Sequence, residues 1–212
     1  MINLSRKSRQ WLENNTIVIK QTNQLRLYAN AKNNKPAIYK FIQKVVKHKH
    51  QHKTITYIID TCIRKICKLY KQPRALVDIR AWAYNNEKWK IPRWHMDGVY
   101  FKNQDYTIKK FTAPLLGPGT LILTKKDSII RNKIKENRKK RISSLDITAR
   151  RELDNIVDYN HVIQCTVGQG YLHIIGDDKK AHIHSEPNII GQRLFIAILP
   201  ASEENIHMIE NK

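Results

Sequence analysis

Apolar residues in the first third of the chain recur at helical spacing. Ile38, Phe41, Ile42, Val45 and Val46 follow Pro36, and Ile55, Ile58, Ile59, Cys62, Ile63, Ile66 and Tyr70 repeat the pattern before Pro73. Side chains three and four apart share one face of a helix, so each run predicts a helix with a buried stripe. From residue 76 the period shortens. "LVDIRAWAY" alternates, "FTAPLLGPGTLIL" breaks at Gly-Pro-Gly, and "VIQCTVGQGYLHII" and "RLFIAILP" are rich in β-branched and aromatic residues. These runs predict strands. A block from Lys125 to about Tyr159 interrupts them with helical character. The pattern therefore predicts an α+β chain with a helical support region over 1–75. A single β core follows over 76–212, with a helical insertion at about 125–159.

Charge changes this picture more than length does. Lys and Arg number 39 against 18 acids, a formal net charge of +21 over 212 residues. Such a balance surrounds the surface with a positive field and makes an anionic macromolecule, nucleic acid or an acidic protein, a plausible partner. A lysine-rich composition with solvated charges accounts for it equally well. The insertion is strongly basic in its first half, with Lys125, Lys126, Arg131, Lys133, Lys135, Arg138, Lys139, Lys140 and Arg141 against Asp127 and Glu136. "KHKHQHK" at 47–53 reads as a solvated helix junction rather than a metal site.

Cys62, Cys67 and Cys165 are odd in number. The first two lie five apart on a predicted helix and point to different faces, which suggests a reducing compartment rather than disulfides or a zinc cluster. The N-terminus lacks the apolar core of a secretory signal, and no stretch approaches the ~18 apolar residues of a membrane span. The expectation is a soluble cytoplasmic protein, with export by a signal-less route as the alternative.

The candidate chemistry begins at "IPRWHMDGVYF". His95 and Asp97 stand two apart, and on an extended strand both side chains lie on one face, where each can offer a donor atom to one ion. Alone the pair carries little weight, because chance supplies about 0.4 of them in a chain of this composition. A third ligand is needed, and His184 in "HIHSEPNIIGQR" supplies it most naturally. Two imidazoles and a carboxylate on one face of an octahedron leave three open positions, the arrangement of non-haem Fe(II) oxygenases. A zinc hydrolase could use a similar set with one open position. Arg193, nine residues past His184, favours the former, since a fixed guanidinium fork pairs with a distant carboxylate.

"WHMDG", "GPGTLIL", "GQGYLHII" and "HIHSEPNIIGQRLFIAIL" together resemble, in order and spacing, the 2-oxoglutarate- and Fe(II)-dependent oxygenases of prolyl-hydroxylase-like type. The likeness spans roughly residues 76 to 200. It implies a double-stranded β-helix, or jelly roll, buttressed by the N-terminal helices. It also implies that His95, Asp97 and His184 bind Fe(II), and that Arg193 binds the distal carboxylate of 2-oxoglutarate, with Tyr84 near the cosubstrate. The implied reaction is a dioxygenase hydroxylation or demethylation of a macromolecule, with succinate and CO2 as co-products.

The match has departures. His182 lies two residues before His184 and could be the ligand instead, although the interval to Arg193 favours His184. Phe195 stands where many relatives carry a hydroxyl, for which Thr112, Thr120 or Tyr100 could substitute. His173 reads as a core residue, and Trp82, Trp89 and Trp94 read as packing. The alternative of a different class is a non-catalytic, basic nucleic-acid-binding protein on a jelly-roll scaffold. It predicts strongly salt-dependent binding and no succinate release.

Overall fold

The computed structural model describes residues 1–84, 90–101, 108–176, 179–187 and 191–210, with the Tyr84 side chain outside that set. Its elements in chain order are β1 (Ile2–Asn3), α1 (Arg6–Asn14), β2 (Asn23–Asn30), α2 (Lys35–Val45), α3 (His52–Leu69), β3 (Arg74–Tyr84), β4 (Lys109–Leu116) and β5 (Leu121–Leu123). Then follow α4 (Ser128–Lys139), α5 (Ile147–Asn155), β6 (Val162–Gln164), β7 (Gln169–Ile174), β8 (His184–Ser185), β9 (Gly191–Ala201) and α6 (Glu203–Glu210). Six strands form one sheet in the order β1-β7-β4-β9-β3-β2, and three form a second in the order β6-β5-β8. All the strand pairs are antiparallel.

The two faces of the large sheet are built differently. Val77, Ile79 and Ala81 of β3, Phe111, Ala113 and Leu115 of β4, and Leu194, Ile196 and Ile198 of β9 all enter one apolar core. The stripes of α2 and α3, including Ile38, Ile42, Ile55, Ile59 and Ile63, share it. Alternation then turns Arg80, Lys110, Thr112, Phe195 and Ala197 to the opposite face, where they line a cavity with His184 of the small sheet. The helices therefore cover one side of the large sheet, and the cavity lies between the two sheets.

The first third is not only helical. β2 pairs with β3 from Asn23↔Ala81 to Asn30↔Arg74, and β1 pairs with β7. The histidine-rich junction also differs from its expected solvation. His50 is exposed, whereas His52 is buried and its Nε2 lies 2.9 Å from the Val46 carbonyl.

The insertion folds as two helices. Asp127 accepts from the Ile130 N–H at 2.9 Å and Asp146 from the Ala149 N–H at 2.8 Å, each capping a helix start. Ile130, Ile134 and Leu153 pack with Trp94, Met96, Leu121 and Ile183 in a second core behind the small sheet. Some of the basic charge serves this docking. Arg131 donates to the Ala181 carbonyl at 2.9 Å, and Arg138 donates to the Met96 carbonyl. No helix among the described residues is long and apolar enough to cross a membrane.

Candidate metal centre

His95 lies on a short extended segment beside β8. Its N–H donates to the His184 carbonyl at 2.8 Å, and the His184 N–H returns the bond to the His95 carbonyl at 2.9 Å. This antiparallel bridge joins two segments that are far apart in sequence and brings their rings to 4.3 Å between centroids. Trp94 and Met96 alternate into the second core, which leaves His95 and Asp97 turned towards the cavity. The donor atoms of His95, Asp97 and His184 all lie within 4.8 Å of one another.

Local hydrogen bonds fix which ring nitrogen is free. His95 Nδ1 lies 2.7 Å from the Arg93 carbonyl, and His184 Nδ1 lies 3.0 Å from the His182 carbonyl. A carbonyl oxygen can only accept, so each Nδ1 carries the proton and each Nε2 keeps a lone pair. Both free nitrogens face Asp97: His95 Nε2 is 3.8 Å from Oδ1, and His184 Nε2 is 3.5 Å from Oδ2. Two donors bound at right angles about 2.1 Å from one ion are separated by about 3 Å, so a modest contraction of this set would hold a divalent metal.

The path of the chain places the neighbouring His182 and His184 in different surroundings. The His182 N–H bonds to the Ile174 carbonyl, at the end of β7 in the large sheet, whereas His184 bonds within the small one. The strand changes partners between the two residues. His182 lines a different cavity, with Lys125, Lys180 and Ile183, and His184 reaches Asp97.

The cavity has a volume of about 200 Å³ and carries polar groups that sequence reasoning did not assign to it. Lys110 Nζ lies 2.7 Å from Asp97 Oδ2 and 3.1 Å from the Tyr100 hydroxyl. His173 is fully buried, with Nε2 3.4 Å from the same Asp97 oxygen. Arg93 Nε donates to Glu186 at 2.7 Å, and Arg80 lies 4.0 Å from that carboxylate. Burial alone would raise the Asp97 carboxyl, but Lys110 and the neighbouring histidines hold it well below its ordinary value. Burial pushes the His95 imidazole down to about 4 and that of His173 down to about 3. Inward alternation with Thr112 was a sequence signal for Lys110. In so basic a chain, however, single lysines and arginines read as surface charge.

Arg193 is 1% exposed and sits beside this cavity rather than among the residues lining it. Its Nε donates to the Pro118 carbonyl at 2.8 Å, and its guanidinium lies 4.2 Å from the centroid of the Phe195 ring, which does line the cavity. Among the described residues Nη1 and Nη2 have no hydrogen-bond partner, and burial pushes the group down to about 9. The Gly117-Pro118-Gly119 turn, a plain turn in sequence, is thus the clamp on this arginine. Thr112, Thr120 and Tyr100 all line the cavity, and the buried Thr112 Oγ1 lacks a partner among the described residues. Tyr84 ends β3 opposite Gly191, but its side chain lies outside the described residues, as does Trp89. Trp94 is a packing residue, with its indole N–H bonded to Asp154 at 2.8 Å.

No family model, curated protein or solved structure matches the chain.

Proposed function

We propose that the protein is an Fe(II)- and 2-oxoglutarate-dependent dioxygenase that hydroxylates or demethylates a macromolecular substrate. The observation that carries this reading is the pair of unprotonated imidazole nitrogens turned towards one buried carboxylate, each ring locked by a backbone carbonyl. Such a donor set suits a divalent transition metal with open positions left for other ligands.

The strand order supports the wider reading. From β3 onwards, successive segments fall in the large sheet, the small, the large, the small twice, the large, the small and the large, if the His95 segment is counted with its partner β8. This alternation supports a double-stranded β-helix, in which successive strands would wind between two facing sheets. The charge of the cavity supports an anionic cosubstrate, since Arg80, Arg93 and Lys110 outnumber the carboxylates of Asp97 and Glu186. Arg193 supports a dicarboxylate in particular, because a buried guanidinium with two idle nitrogens is complementary to a carboxylate fork.

In this reading bound iron supplies oxygen activation coupled to oxidative decarboxylation of the 2-oxo acid. The residues of the chain orient and shield. His95, Asp97 and His184 hold the metal, Arg193 anchors the distal carboxylate, and the buried sheet faces keep bulk water from the cavity. Exposed Lys125, Lys126, Lys139 and Arg141 of the insertion support an anionic macromolecule as partner. An anaerobic titration with Fe(II) and 2-oxoglutarate tests the reading. A visible charge-transfer band and, on admission of oxygen, succinate release are expected. Salt-sensitive nucleic-acid binding with neither signal would instead favour the non-catalytic alternative.

A further inference from the structure

Among the described residues Lys110 makes the closest side-chain contact to the Asp97 carboxylate, at the oxygen that His184 Nε2 also approaches. The side chain of Lys110 is only 12% exposed and that of Asp97 10%. Glu186 is already held by Arg93 and Arg80, so Lys110 is the principal cation against Asp97. A divalent ion ligated by Asp97 would add two positive charges beside a buried ammonium, in a cavity where cations already outnumber carboxylates. Like charges this close in a partly desolvated site repel strongly. The metal and Lys110 therefore compete for one carboxylate.

The same strand offers a place for the displaced charge to act. Lys110 and Thr112 are two apart on β4 and face the cavity together, and among the described residues the buried Thr112 Oγ1 has no partner. An ammonium and a hydroxyl side by side match a carboxylate group. We infer that Lys110 is a built-in counter-ion of Asp97 that an incoming divalent metal displaces, and that with Thr112 it then forms a subsite for a small carboxylate ligand. This rests on the metal-centre reading given above. Lys110 is in these terms a positioning residue, and it couples the two ligands: metal binding frees the subsite, and an anion on the subsite favours the metal. Such coupling is reciprocal.

Calorimetry of the full chain with Mn(II), in the presence and absence of 2-oxoglutarate, tests the inference. Lys110→Met is expected to bind Mn(II) alone about tenfold more tightly than the wild type, as removal of an adjacent charge predicts. The same variant should lose most of the tightening that 2-oxoglutarate gives the wild type. Lys110→Arg, which keeps the charge, should restore the wild-type pattern. A residue that merely packs the cavity would weaken both ligands when replaced. Equal or weaker Mn(II) binding by Lys110→Met overturns the inference while the metal centre stands, and absence of Mn(II) binding in both chains overturns the two together. Should the variant fail to fold, the wild type suffices. The side-chain 15N resonance of Lys110 is expected to shift when Zn(II) and 2-oxoglutarate are added together, and an unmoved resonance contradicts the displacement.

Discussion

His95 and His184 hold each other through reciprocal backbone hydrogen bonds of 2.8 and 2.9 Å, while each ring is locked by the carbonyl two residues before it. The donor geometry is therefore set by chain pairing, and the side chains need little reorganisation to meet a ligand. A preorganised site of this kind loses less entropy on binding.

Arg193 carries the opposite signature, that of a group kept at the expense of stability. Its buried guanidinium has one hydrogen bond, to Pro118, and lies over the Phe195 ring, but among the described residues two of its nitrogens lack partners, so the charge is only partly compensated. Arg193→Met should raise the thermal midpoint of the ligand-free chain by a few degrees, equivalent to about 1 kcal/mol. It should also weaken 2-oxoglutarate binding. Differential scanning calorimetry checks the first part, and a lower midpoint would contradict it.

Gly117 is expected to tolerate no side chain. Its φ of +75° lies in the left-handed region, and an added Cβ would stand 2.4 Å from the Gln192 carbonyl oxygen. Gly117→Ala should destabilise by about 2 kcal/mol or more and loosen the Pro118 carbonyl from Arg193. Urea denaturation measures this, and a change under 0.5 kcal/mol would show that the turn can shift.

Acid should destabilise the metal-free protein in a defined window. An unfolded histidine protonates near 6.5, whereas folded His95 and His173 do so at about 4 and about 3. Between these values the unfolded chain holds more protons, so stability rises with pH. The contribution is complete above about 6.5 and is lost as pH falls towards 4 and then 3, by an amount on the order of a few kcal/mol. Asp97 and Glu186, both held below their ordinary values, extend the loss in the same direction at lower pH. Urea midpoints from pH 7 to pH 4 should fall steadily. A flat profile would mean that these imidazoles are not desolvated.

The second core has its own anchor. Trp94 donates to Asp154 at 2.8 Å, tying α5 to the segment that bears His95. Asp154→Ala should cost about 1 to 2 kcal/mol by leaving a buried indole N–H unpaired. Thermal unfolding checks this, and metal affinity should drop only slightly.

Much of this architecture was legible in the apolar spacing, because α2, α3, β3, β4 and β9 bury whole faces and leave an unambiguous period. β2 was missed, since at the sheet edge its alternating Leu25 and Leu27 are only half-buried and charged neighbours dilute the pattern. That His95, Asp97 and His184 lie together matches their order and spacing, and the interval to Arg193 already favoured His184 over His182. What the sequence did not contain is the crossing of the chain from one sheet to the other between those two histidines. Lys110, Glu186 and Arg93 escaped notice for a related reason: their significance comes from burial, which alternation along a single strand only hints at.

The most direct measurement is a Mn(II) titration of the wild type beside His184→Ala and His182→Ala. The account predicts one ion per chain in the wild type, near-complete loss in His184→Ala and retention in His182→Ala. Equal binding by all three, or loss only in His182→Ala, would contradict a centre built from His95, Asp97 and His184.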